Sequence, residues 1–272
     1  MLLPLCPALL GDEDPIPLYA LKLLGGALEA DAGMCGDAAR LGLAPKFFEF
    51  LSLEHTNNNV HNVRLCLALA RSRAVRTLEL LCDFAAGHKV AAVLAYAHEN
   101  AVEPFLEPSL GICAALFTRV VDLRDENGSR NGSDPHDAID AAMDGVAPLL
   151  DVVHVLIECA SAGETEVASF AVPSLAAQSL RLAVDLFPEE ASAAIFARGT
   201  PLADAVDALG TAAAVDRGER GFADVDLPNT GGPGPGGAGG AGAGATSSSG
   251  SSSPRRGFAR AQRSGLGAIA AA

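Results

Sequence analysis

The chain has 272 residues, 49% of them hydrophobic, and a formal charge of −14, so it is long enough for one large or two small domains with an ample core. The acid excess argues against duplex DNA or an anionic membrane as its main partner. Aromatic residues make up only 5% and tryptophan is absent, while Ala and Leu dominate, which excludes a sandwich or barrel in favour of closely crossing helices.

Residues 2–10 read as a short apolar helix before the turn Gly11-Asp12-Glu13-Asp14. Pro15 and Pro17 fit only before or within the first turn of a helix, and Asp14 is placed to cap it. The helix that follows carries Ile16, Leu18, Tyr19, Leu21, Leu23, Leu24 and Leu28 nearly all round, with Lys22 and Glu29 as its polar stripe. Such a helix is expected to be an inner one, buried between neighbours. Gly25-Gly26 costs about 1 kcal/mol per glycine relative to alanine, which predicts a bend or an early end there.

A short helix stops at Gly42 and Pro45 opens the next, whose ridge is Phe47, Phe48, Phe50 and Leu51. From Asn57 to Arg71 the apolar residues Val60, Val63, Leu67 and Ala70 follow helical spacing, opposite a stripe of Asn57, His61, Arg64 and Arg71. The glycine-stop pattern at Gly42 recurs loosely at Gly87 and Gly199. The first two lie 45 residues apart, within the range of about 40 to 47 for armadillo and HEAT units. Residues 108–123 predict another inner helix, residues 124–135 an exposed loop, and residues 146–160 and 173–187 further helices. No apolar run approaches the roughly twenty residues of a membrane span.

The fold expected is an all-α, right-handed armadillo/HEAT-type solenoid over residues 1–222, followed by a disordered Gly/Ser-rich tail over 223–272. Residues 227–272 hold Arg255, Arg256, Arg260 and Arg263 and no acid, so the overall charge resolves to +4 in the tail and −18 in the body.

No constellation for chemistry is present. The six cysteines form no C-x-x-C pair, lie in apolar helical stretches and read as buried free thiols. The six histidines form no ligand set, so neither metal nor cofactor is expected. Asp83-Phe84-Ala85 only echoes the magnesium motif of kinases, with no HRD loop before it. Glu189-Glu190, and Asp122 with Asp125, read as solvated helix ends.

The candidate partner-binding surface is Asn57, His61, Arg64 and Arg71, with Asn58 and Asn62 on its flank. Asparagine amides there can pair with an extended backbone and arginine with carboxylates. An ordinary solvated helix face is the alternative. The tail arginines Arg255, Arg256, Arg260 and Arg263 are a candidate electrostatic contact for an acidic surface, or a solubilising end.

Asp14-Pro-Ile-Pro-Leu-Tyr-Ala-Leu-Lys-Leu-Leu, with Leu41-Gly-Leu, Phe47-Phe-Glu-Phe-Leu, Leu53-Glu-His and Asn57-Asn-Asn, resembles the C-terminal armadillo/HEAT region of the Fused-related Unc-51-like kinases. The likeness is to the fourth animal paralogue and the plant Runkel branch. It is specific over about residues 10 to 70 and fades beyond into a shared helical-repeat character. The resemblance implies a non-catalytic interaction scaffold in the cytoplasm, near microtubules or in cilia, belonging to a parent with a kinase or pseudokinase domain that this chain lacks. The competing expectations are serine/threonine kinase activity through such a parent, and an unrelated armadillo-type adaptor. Protein partners are expected, with no nucleic acid and no membrane.

Overall fold

A computed structural model describes residues 3–31, 33–128, 136–162, 171–197 and 210. The chain divides into two units, Met1–Val225 and Asp226–Ala272, and every described residue lies in the first. The tail, its arginines and the glycine stop expected at Gly199 lie outside the described residues.

The described residues form eleven α-helices and no strand. In order they are α1 (Cys6–Leu10), α2 (Ile16–Ala30), α3 (Gly33–Arg40), α4 (Leu43–Phe50), α5 (Val60–Arg71), α6 (Ala86–Glu99), α7 (Glu103–Gly128), α8 (His136–Val146), α9 (Val153–Ser161), α10 (Ala171–Leu186) and α11 (Pro188–Ala197). A π-helical segment, Glu79–Asp83, precedes α6, and 3-10 turns at Leu3–Leu5 and Ala147–Val152 precede α1 and α9. Successive helices stack around one continuous core whose largest fully buried side chains include Phe47, Phe48, Phe50 and Phe117. This is the helical-repeat solenoid that the pattern predicts, because an amphipathic helix buries its apolar stripe only against its neighbours.

The inner helix is α7. It packs against α5 on one side, α6 on another and α10 on a third. Its 26 residues start at Glu103, with Pro108 inside, and run on through Arg124–Gly128, where a loop is expected from the sequence. Its stretch Glu103–Glu126 is long and apolar enough to cross a membrane by composition alone, contrary to the sequence reading, yet most of it is buried inside the protein core. Helix α8, not foreseen, precedes the expected one; residues 129–135 lie outside the described residues.

Helix α2 corrects a second expectation. Its buried side is Pro17, Ala20, Leu21, Leu24, Gly25 and Leu28, against α1 and α5. The other side is open, with Tyr19 64% and Leu23 56% exposed and Ile16 and Leu18 also accessible. Among the described residues nothing covers that face, so α2 is half-buried rather than internal. It runs through Gly25-Gly26 to Ala30, with Gly25 on the buried side of the helix. Asp14 makes no side-chain cap hydrogen bond.

The two glycines read as helix stops differ. Gly42 has φ +70° between α3 and α4, the left-handed backbone that favours glycine. Gly87 lies inside α6, and the left-handed residue is Ala85. A Cβ on Gly87 would fall inside the van der Waals envelope of the Gly145 carbonyl oxygen of α8. Its role is a close helix crossing.

Candidate functional site

Helix α5 begins at a cap that the sequence reading passed over. Asn59 has extended backbone, and its side-chain oxygen accepts hydrogen bonds from the amides of His61 (3.0 Å) and Asn62 (3.2 Å). Its Nδ2 donates to the carbonyl of Asn57 at 3.0 Å. Asn57 and Asn58 therefore lie in the loop before α5, not on its face. The Asn57 amide donates to His55 Nδ1 at 3.1 Å, and the imidazole of His55 lies 4.5 Å from the ring of Phe50 between centroids. Asn58 is half-buried, with its side-chain oxygen inside and unpartnered among the described residues.

Asn62 corrects the sequence reading most plainly. It is fully buried and its Nδ2 donates to the Phe47 carbonyl at 3.0 Å, holding the last turn of α4. Lys89 Nζ donates to the next carbonyl, that of Phe48, at 2.7 Å. The Phe47 carbonyl also accepts the Leu51 amide at 3.1 Å, so Asn62 adds a second bond there, while Lys89 supplies a donor to a carbonyl in the last turn of α4. Of the six residues proposed around α5, His61, Arg64 and Arg71 remain as an outward stripe, His61 half-buried and both arginines exposed. His61 lies between charges: burial, Lys22 and Arg64 push its pKa below the ordinary value, and Glu29 opposes them weakly. Among the described residues neither Arg64 nor Arg71 has an ion pair. Seven residues apart, the two stand about 10 Å apart along the helix.

Beyond α5 lies a cleft of about 660 Å³ that the sequence did not reveal, built from residues 73–83, α7 and Ala141 of α8. Arg119 anchors its floor. From the middle of α7 its guanidinium donates to the carbonyls of Ala70 (2.6 Å) and Val75 (2.8 Å), and also to that of Ser72, closing the C-terminal end of α5. Cations are favoured at a helix C-terminus, where carbonyls lack partners. Burial and nearby Arg73 press the Arg119 pKa down, and Asp122 partly offsets them. On the rim Arg73 pairs with Asp122 (2.9 Å) and Glu126 (3.2 Å). Asp122 is thus a mid-helix ion-pair partner rather than a helix end. Asp83 lines the cleft, while Phe84 stacks on Phe48 at 5.5 Å between centroids, so this kinase-like tripeptide serves packing. Cys82 corrects the expectation that all six thiols are buried: it is exposed at the cleft, with its Sγ 3.7 Å from the Ala141 carbonyl, while the other five are buried.

Among the described residues no three metal-binding side chains cluster. The cleft's charges are of both signs, and Arg73 pairs with Asp122 and Glu126 across its rim. No sequence signal assembles the cleft, because its walls come from segments about 40 residues apart.

Among the described residues, stacked helix pairs without strands, holding one continuous core, define a helical-repeat protein of the armadillo/HEAT class. Residues 43–215 match the profile of the RUNKEL ARM-repeat domain, and the chain belongs to that family. Residues 1–36 match HEAT repeats of the serine/threonine-protein kinase ULK4-like group. The chain is similar to serine/threonine-protein kinase RUNKEL of Arabidopsis thaliana, with 39% identity over 117 residues. That alignment covers 43% of this chain and 8% of the plant protein, so the chain spans a small part of its relative's length. No solved structure matches. Both matched regions are repeats outside the kinase domain, and armadillo and HEAT repeats generally bind other proteins.

Proposed function

We propose that this chain is a non-catalytic docking segment of a RUNKEL-like protein, binding an acidic protein surface through the outer stripe of α5. The observation that carries this reading is the pair Arg64 and Arg71, exposed and without ion pairs among the described residues, on a body whose charge is −18. Carboxylates two or four residues apart on an extended strand share a face at about 7 or 13 Å, and the long arginine side chains can span either spacing. The surface of a microtubule, in the cytoplasm at the cytoskeleton or in a cilium, is the partner we propose; a body of −18 is repelled by an acidic surface, so the contact requires Arg64 and Arg71 as a local basic patch. Asn57 and Asn58 flank the stripe, and Arg255, Arg256, Arg260 and Arg263 add a second, salt-sensitive attraction.

Co-sedimentation with stabilised microtubules at low and physiological salt tests this, comparing the whole chain, a chain ending at Asp226, and Arg64→Glu/Arg71→Glu. The reading expects pelleting by the first two, with stronger salt dependence in the whole chain, and loss in the double variant. Pelleting by the double variant at wild-type levels would move the contact elsewhere, and no pelleting at all would reject microtubules as a direct partner. On the non-catalytic reading, Mg-ATP leaves the melting temperature unchanged; a rise on its addition would count against it.

A further inference from the structure

The open side of α2 has a regular pattern. Ile16, Tyr19, Leu23, Gly26 and Ala30 recur at alternating three- and four-residue intervals, the spacing of a helix–helix seam. All five are exposed, and a Cβ on Gly26 would meet nothing within 4 Å. The seam is graded in size, with bulky side chains in its first half and small ones in its second. It is graded in charge as well: Lys22 and Glu29, both exposed, occupy equivalent flanking positions one heptad apart.

We propose that this face joins two copies of the chain through an isologous, antiparallel α2–α2 contact. In that arrangement Tyr19 of one copy packs on Ala30 of the other and Leu23 on Gly26, bulky against small in both layers, while Ile16 lies past the end of the second helix. The same register places Lys22 opposite the second copy's Glu29, and the two-fold axis repeats the pair. A parallel pairing would set bulky on bulky and small on small and leave those charges unmatched. The size gradient and the charge gradient therefore select one partner and one orientation. Fifteen residues span about 22 Å, so the contact falls below the standard interface size and the dimer is weak, with a dissociation constant on the order of 10 µM.

Sedimentation equilibrium of the whole chain from about 1 to 200 µM tests the proposal. A reversible monomer–dimer equilibrium is expected, and Leu23→Arg is expected to stay monomeric with unchanged circular dichroism. Lys22→Glu or Glu29→Lys alone weakens the dimer about fivefold, since each juxtaposes like charges at both symmetric pairs. Lys22→Glu/Glu29→Lys together restores wild-type affinity. Within one copy these residues are two turns apart and unpaired, so only pairing between antiparallel copies gives that rescue. A monomer throughout the range, self-association indifferent to Leu23→Arg, or a double variant weaker than either single would overturn the proposal.

Discussion

Replacing Gly87 with alanine sets two opposed effects against each other at the crossing of α6 and α8. Gly87 is in the first turn of α6, where alanine is favoured over glycine by up to about 1 kcal/mol, the value of a helix interior, so propensity alone predicts a more stable protein. The new methyl would, however, overlap the Gly145 carbonyl oxygen and lie 3.3 Å from the carbonyl carbon. Both are backbone atoms of a helix and cannot rotate aside, so α6 and α8 must separate by about an ångström, a displacement at the upper end of overpacking costs, about 3 kcal/mol. The net expectation is a loss of about 2 kcal/mol, read in urea denaturation as a midpoint lowered by about 1 M with an unchanged slope. Gly36→Ala is the control: its methyl would meet only the flexible tip of Arg40 at 3.9 Å, and a gain of about 0.5–1 kcal/mol is expected. A Gly87→Ala protein as stable as wild type, or more so, would refute the crossing.

Arg119→Ala removes a charged donor from the Ala70 and Ser72 carbonyls at the end of α5 and from that of Val75 beyond it, and should cost about 3 kcal/mol in the same assay, with Arg119→Lys recovering only part. Asn59→Ala removes the cap of α5 and should cost about 1 kcal/mol, whereas Asn59→Asp keeps the cap, loses only the donor to the Asn57 carbonyl, and should cost about half as much. Cys82 is the exposed thiol, so an aromatic disulfide reagent should label it quickly, and Cys66, Cys113 and Cys159 only on unfolding. Burial raises the thiol of Cys113 to about 12 and that of Cys159 to about 11, and pushes Cys66 further up. The unfolded chain then releases protons first, so the stability from these thiols is complete below about pH 9 and falls as pH rises towards their folded values, visible as a lower melting temperature at pH 10 than at pH 8.

Legibility of the site in the sequence followed the range of the interactions. The α5 stripe was visible because 3.6-residue periodicity is local, and Arg64 and Arg71 stand where that period puts them. Asn62 fits the same period poorly as a surface residue, yet polarity alone reads it as exposed; only the Phe47 carbonyl, brought in by α4, explains its burial. The triple asparagine concealed a cap, since Asn57, Asn58 and Asn59 are chemically identical and the chain's turn selects the third. The cleft had no local signature at all.

The sequence by itself determined an all-helical stack, the turn at Gly42, the start of α2 at its prolines, and free rather than paired cysteines. Each of these rests on backbone sterics or on a residue's own polarity, which are properties of short segments. Tertiary structure decided which helix lies inside. Helices α2 and α7 are both apolar enough for burial, but α7 has neighbours on three sides and α2 on one. It also decided that Gly87 is a contact and not a stop, and that Arg119 ends a helix 49 residues before it in the chain. Burial and close approach depend on what packs against a residue, and that partner is distant in sequence.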